Sequence, residues 1–125
     1  MEEVIKQIIE AGIKAPSGDN CQPWRFKIKN NELFIFNIPE RDNSLYSWRQ
    51  YTSYIAHGAL LENISIAAEM LGYLITISLF PNHTEEKNLV ARVIFEKSVP
   101  NTYPLYNAIS KRVTNRKSYH KVPLT

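Results

Sequence analysis

The 125-residue sequence predicts an α+β fold, an antiparallel sheet packed on a long central helix. Three observations predict it. Segments 24–29 and 33–38 flank an Asn30-Asn31 pair and read as a hairpin, since Asn tolerates positive φ. Segment 49–72 carries the longest helical repeat of apolar residues. Two more segments with period-two alternation, 73–80 and 89–96, follow it.

The chain opens with a helix over 2–14, where Val4, Ile5, Ile8, Ile9 and Ile13 recur at helical spacing. Pro16 ends it, because the residue before a proline is biased away from the helical region. A loop at 16–23 leads to a strand in which Trp24, Phe26 and Ile28 alternate with Arg25, Lys27 and Lys29, leaving one face wet. The returning strand covers 33–38, and Pro39 opens a loop over 39–48.

In the helix over 49–72, Leu60, Ile64, Ala67, Ala68 and Leu71 form one stripe, and Ala59, Ile66, Met70 and Tyr73 a second. Glu62, Ser65 and Glu69 leave only a narrow polar stripe, so the helix is expected to be buried in a core or against a partner. Gly72 stops it. Tyr73, Ile75, Ile77 and Leu79 share one face of the next strand, which Pro81-Asn82-His83 breaks. Leu89, Ala91, Val93 and Phe95 share one face of the last strand. Asn101 or Thr102 can cap a final helix near 103–112, with Pro104 in its first turn, before a basic tail at 113–125. With no short repeat and no linker, residues 1–125 read as one domain.

Composition excludes several classes. At 44% hydrophobic and 22% charged, the chain is globular rather than disordered. The net charge of +3 is scattered, with no dense Lys/Arg block, so nucleic acid is not an expected partner. The one cysteine, Cys21, allows neither an internal disulfide nor a Cys-based zinc site and fits a reducing compartment. His57, His83 and His120 lack metal-ligand spacing. Met1-Glu2-Glu3 does not open a signal peptide, and no apolar run is long enough to span a bilayer, so a cytoplasmic protein without a membrane partner is expected. The Asn63 and Asn82 glycosylation triplets are of the kind that arises by chance.

Two segments carry candidate chemistry. In Ala15-Pro16-Ser17-Gly18-Asp19-Asn20-Cys21-Gln22-Pro23-Trp24, Gly18 lets a ligand approach the backbone. Ser17, Asn20 and Gln22 offer groups that match the edge of a heterocycle, and all three are expected to point into one cleft. Pro16 and Pro23 stiffen the ends. A capped surface turn is the plain alternative. In Lys111-Arg112-Val113-Thr114-Asn115-Arg116, an extended backbone puts Arg112, Thr114 and Arg116 on one side, as a phosphate clamp requires. A solvated basic tail is the alternative there. Cys21 and His57 could be written as nucleophile and base, but no third orienting group is evident.

The first segment resembles the signature of the flavin (FMN)-dependent nitroreductases, in which an Ala-Pro-Ser segment, an Asn and a Gln-Pro-Trp follow an N-terminal helix. Gly58-Ala59-Leu60-Leu61-Glu62-Asn63, Ala67-Ala68 and Leu71-Gly72-Tyr73 are similar to that family's long central helix. The Arg112/Thr114/Arg116 run resembles the family's phosphate motif, and its place late in the chain is similar to the order in the Acg-like branch. The resemblance implies FMN as cofactor, with Pro16, Ser17, Gly18, Asn20 and Gln22 near the flavin and Arg112, Thr114 and Arg116 on its phosphate. It implies an oxidoreductase passing reducing equivalents from NAD(P)H to a nitro, quinone or similar small-molecule acceptor, with no catalytic side chain, a site built between two subunits or two repeated halves, and a homodimer as the expected assembly. It also implies that the chain is the N-terminal part of a longer member, an incomplete half of the full fold. The alternative function is a non-catalytic flavin-binding or dimerising half-domain.

Overall fold

A computed structural model describes residues 1–81 and 86–123. Helix α1 spans Glu2–Gly12, β1 Trp24–Lys29, β2 Glu32–Asn37, α2 Tyr51–Met70, β3 Tyr73–Leu79, β4 Leu89–Lys97 and α3 Tyr106–Ile109. The four strands form one sheet in the order β1-β2-β4-β3, antiparallel at every step. The hairpin turn is where the two asparagines place it: Asn30 and Asn31 have φ of 52° and 59°, the left-handed pair that matches strand twist.

Alternation gives the sheet one apolar face. Leu33 and Ile35 pair with Val93 and Ala91, and all four are buried in one core with Ile5 and Ile8 of α1 and Leu60, Ile64, Ala67 and Ala68 of α2. A bulge between Ile35 and Phe36 breaks the period-two rule, so these consecutive side chains are both buried. The helices meet closely at Gly12, where a Cβ would stand 2.9 Å from Ile64 Cγ1. Asn63 of α2 donates its Nδ2–H to Ala11 O at 3.3 Å, tying the same junction.

Several boundaries differ from the sequence expectation. The first helix stops at Gly12, not 14, ahead of the Ala15-Pro16 pair. Helix α2 starts at Tyr51, not 49, because Arg49 and Gln50 are left-handed, with φ of 52° and 62°. It ends at Met70, and Gly72 at φ 85° turns the chain into β3. Strands β2 and β4 run to Asn37 and Lys97, and β3 stops at Leu79. The loop at 39–48 contains 3-10 turns at Pro39–Arg41 and from Leu45 to Gln50.

The last helix is a single turn, Tyr106–Ile109, with Leu105 at its N-cap; neither Asn101 nor Thr102 caps it. Ile109 is the one residue of that turn buried, so little apolar surface supports a longer helix. Residues 113–123 are exposed coil. Of the expected strand break, Asn82 and His83 lie outside the described residues, as do Leu124 and Thr125 of the tail. No described helix is long and apolar enough to cross a membrane.

Both stripes of α2 find cover within the chain: Ile66 is buried, and Ala59 and Met70 are half-buried. Its uncovered apolar surface lies instead near its start. Ile55 is 73% exposed and Tyr51 54%, and the preceding turn adds Leu45 at 96%, Tyr46 at 90% and Trp48 at 63%.

Candidate functional site

The loop between α1 and β1 is held by its own polar groups. Ser17 is extended and its Oγ accepts the Gln22 N–H at 3.0 Å. Gly18–Asn20 form one 3-10 turn, closed by Cys21 N–H on Gly18 O at 2.9 Å. Asp19, Asn20 and Gln22 take φ of 48°, 55° and 47°, a cluster of left-handed non-glycine residues that needs outside support. Two guanidiniums give it. Arg41 donates an Nη1–H to Gln22 O at 2.7 Å, and Arg112 donates from Nε and Nη2 to Lys14 O at 3.3 and 3.2 Å. The loop is therefore gripped at both ends by arginines distant in sequence.

Pro16, Ser17 and Gly18 form one wall of a cleft of about 220 Å³, and Thr52, Ile55, Ala56 and Ala59 of α2 form the other. The cleft thus brings together three of the residues the sequence singled out. Asn20 and Gln22 are not in its walls; the Gln22 Nε2–H reaches Asn20 Oδ1 at 3.5 Å instead. Arg112 Nη1 donates to Thr114 Oγ1 at 3.2 Å, so these two meet as an extended tail allows. Arg116 is exposed further along that tail.

Sequence reasoning passed over Arg41, Asp42, Thr52 and Ile55. Asp42 is 9% exposed, and its Oδ1 accepts the Ser44 hydroxyl at 2.7 Å and the Ser44 N–H at 3.2 Å. Those two donors hold its carboxyl below the ordinary range. The signal available was Asp42-Asn43-Ser44, an Asp able to bond the backbone two residues on.

Cys21 and His57 do not form a catalytic pair. Burial, and then the charge of Asp42, push the Cys21 thiol up, away from the reactive thiolate. His57 is buried with Nδ1 2.8 Å from Ser53 O and Nε2 3.4 Å from Phe36 O, so its nitrogens face backbone carbonyls. Trp24 packs edge-on to its ring, centroids 6.1 Å apart. Burial lowers its pKa, as expected of a packing histidine. Among the described residues no three His, Cys, Asp or Glu gather as a metal site.

No protein-family model matches the chain. Over 124 residues it is 25% identical to a Mycobacterium tuberculosis protein named as an NAD(P)H nitroreductase, an alignment covering 98% of this chain and 36% of the relative. Over 93 residues it is 28% identical to the NAD(P)H nitroreductase named Acg from the same organism, covering 71% of this chain and 27% of the relative. The chain therefore spans about a third of the length of these curated relatives. Among solved structures it is similar to a nitroreductase in complex with FMN from Desulfovibrio desulfuricans, with a TM-score of 0.61 and 19% identity. That match covers 92% of this chain and 87% of the solved one, so the expectation of an N-terminal half of the fold is not borne out.

Proposed function

From a chain that is nitroreductase-like in its fold and similar to named nitroreductases in sequence, we propose an FMN-dependent oxidoreductase. It passes reducing equivalents from NAD(P)H to a nitro, quinone or similar acceptor. The observation that carries this reading is the cleft between Pro16-Ser17-Gly18 and the apolar Ile55-Ala56-Ala59 surface. Its lining is almost entirely apolar, with Ile55, Ala56 and Ala59 facing Pro16 and Gly18, a surface that suits the face of a planar ring. Gly18 lies close to the Asp42 carboxylate: a Cβ there would stand 3.5 Å from Asp42 Oδ2.

A flavin, when bound, supplies the electron-transfer chemistry. The chain's own residues bind and orient it. Ser17 shapes the loop, its oxygen accepting the Gln22 N–H. Ile55, Ala56 and Ala59 exclude water from the ring face. Arg112 and Arg116 would hold the phosphate, and Asn20 and Gln22 would lie at the outer rim of the loop. The cleft, at about 220 Å³, is smaller than the roughly 300 Å³ at which ligand pockets begin, so a second surface is needed to enclose a flavin. We propose that a second copy of the chain, seated on the exposed ledge of Tyr46, Trp48, Tyr51 and Ile55, provides it. A stable monomer in sedimentation at micromolar concentration overturns that pairing.

Titration of free FMN into the purified protein, followed by flavin fluorescence, tests the cofactor. Arg112→Ala or Arg116→Ala should weaken binding about thirtyfold, the loss of one charge-assisted bond worth about 2 kcal/mol. Equal affinity in both variants and the wild type removes the phosphate assignment. A protein that never takes up FMN favours the second reading, a non-catalytic pairing module, which the small cleft supports.

A further inference from the structure

The Asp42 carboxylate lies between two residues of the cleft wall, and its role there rests on the flavin reading of that cleft. Its Oδ2 accepts the Thr52 hydroxyl at 3.1 Å and is 3.5 Å from where a Cβ on Gly18 would stand. Thr52 and Gly18 both line the cleft, on opposite walls. The carboxylate cannot swing away easily. Ser44 grips Oδ1 twice, and the Gln50 Nε2–H bonds the Asp42 carbonyl at 3.0 Å. Gln50 is fixed in turn by Asn37, whose Nδ2–H reaches its Oε1 at 3.0 Å. Among the described residues no cationic side chain forms a salt bridge with Asp42. The donors around it are hydroxyls and amides, which stabilise its charge without cancelling it.

We propose that Asp42 sets the electrostatic character of this cleft: a fixed negative charge just behind its wall that disfavours any ligand ring gaining electrons there. Two electrons from an electrode and one proton from solvent convert a neutral oxidised flavin ring into one with a single negative charge. A carboxylate of like sign, fixed by Ser44 and Thr52 beside the wall, opposes that change. The same charge acts on Cys21, four residues from Ser17 in the same loop, whose ionisation also places a negative charge there.

The test uses the full chain and two readouts. In flavin-reconstituted protein, spectroelectrochemistry gives the ratio of affinities for reduced and oxidised FMN. In flavin-free protein, the pH dependence of thiol reaction with a chromogenic disulfide gives the Cys21 ionisation, an unambiguous signal because the chain has one cysteine. Asp42→Asn keeps the shape and removes the charge. It should raise the reduced-to-oxidised affinity ratio by up to about tenfold, roughly 30 mV for a two-electron couple, and lower the thiol pKa. Ser44→Ala keeps the charge and removes a donor that masks it, so both readouts should move the opposite way, by about twofold. Asp42→Glu should stay near wild type.

Readouts that do not move in Asp42→Asn, or that move in the same direction in Asp42→Asn and Ser44→Ala, overturn the proposal. Should Asp42→Asn fail to fold, the sign of the Ser44→Ala shift decides. A wild type that takes up no flavin overturns the reading of the cleft, while the thiol titration still decides whether Asp42 charges its wall.

Discussion

The loop at 16–23 and the tail at 113–123 both hold candidate ligand groups, yet they are built in opposite ways. The loop has a strained backbone, with three left-handed non-glycine residues, and is fixed by the Gln22 N–H bond to Ser17 Oγ and by hydrogen bonds from Arg41 and Arg112. The tail has few such ties: the Arg112–Thr114 contact and an Asn115 bond to the Lys117 amide, both exposed. Strain persists only where surroundings over-determine it. The difference teaches that a ring bound at the loop would meet a preformed surface. A phosphate bound by Arg116 would instead have to order its own site and offset the lost entropy.

Four measurements probe how firmly each region is held, the most disruptive first. Leu60→Ala, in the core on the same helix that walls the cleft, should lower stability by about 2–5 kcal/mol in denaturant unfolding. A much smaller loss would mean that the loop's backing is soft. Arg41→Ala should cost about 1–2 kcal/mol by removing the grip on Gln22 O, and amide exchange should quicken in residues 19–22. Unchanged exchange would show that Ser17 alone holds the turn.

Acid should act through His57. Burial depresses its pKa, so it folds neutral and the unfolded chain takes up the proton more readily. Its contribution is fully present above the unfolded value near pH 6.5 and is lost as pH falls from there toward the folded value. Melting curves for the wild type and His57→Gln, compared across pH 7 to 5, read this; identical pH slopes would remove His57 as the cause. Ending the chain before Val113 should change stability by less than about 0.5 kcal/mol, since every described tail residue is exposed, while weakening any FMN binding. A large stability loss would show that the tail packs as firmly as the loop.

Periodic elements were the legible part of the sequence. Strands β1 to β4 and helix α2 lie within a few residues of their expected positions because alternation and helical spacing record which face is buried. The bulge at Ile35–Phe36 was not legible, since two adjacent buried residues fit either period. Nor was the start of α2, because Arg49 and Gln50 take left-handed conformations without any glycine to announce them. At the site, Pro16, Ser17 and Gly18 could be found from local composition. Arg41 could not, because its role depends on a contact with Gln22, and at Asp42 the local turn with Ser44 says nothing of its approach to Gly18; both partners are about 20 residues away in sequence. The clustering of Asn20 and Gln22 predicts side chains aimed at one cleft, but with positive φ at both they meet each other instead.

The strand order has a consequence for how the chain is made. β4, the last strand in sequence, lies in the middle of the sheet, between β2 and β3. Until residues 89–97 leave the ribosome, the β2 edge of the β1–β2 hairpin is unpaired and β3 lacks its sheet partner. Both open edges then wait on one segment, and closing the sheet joins residues about 60 apart, such as Leu33 and Val93. Nascent chains stalled before Leu89 should therefore be captured more than chains released past Lys97 by chaperones that bind exposed strand edges.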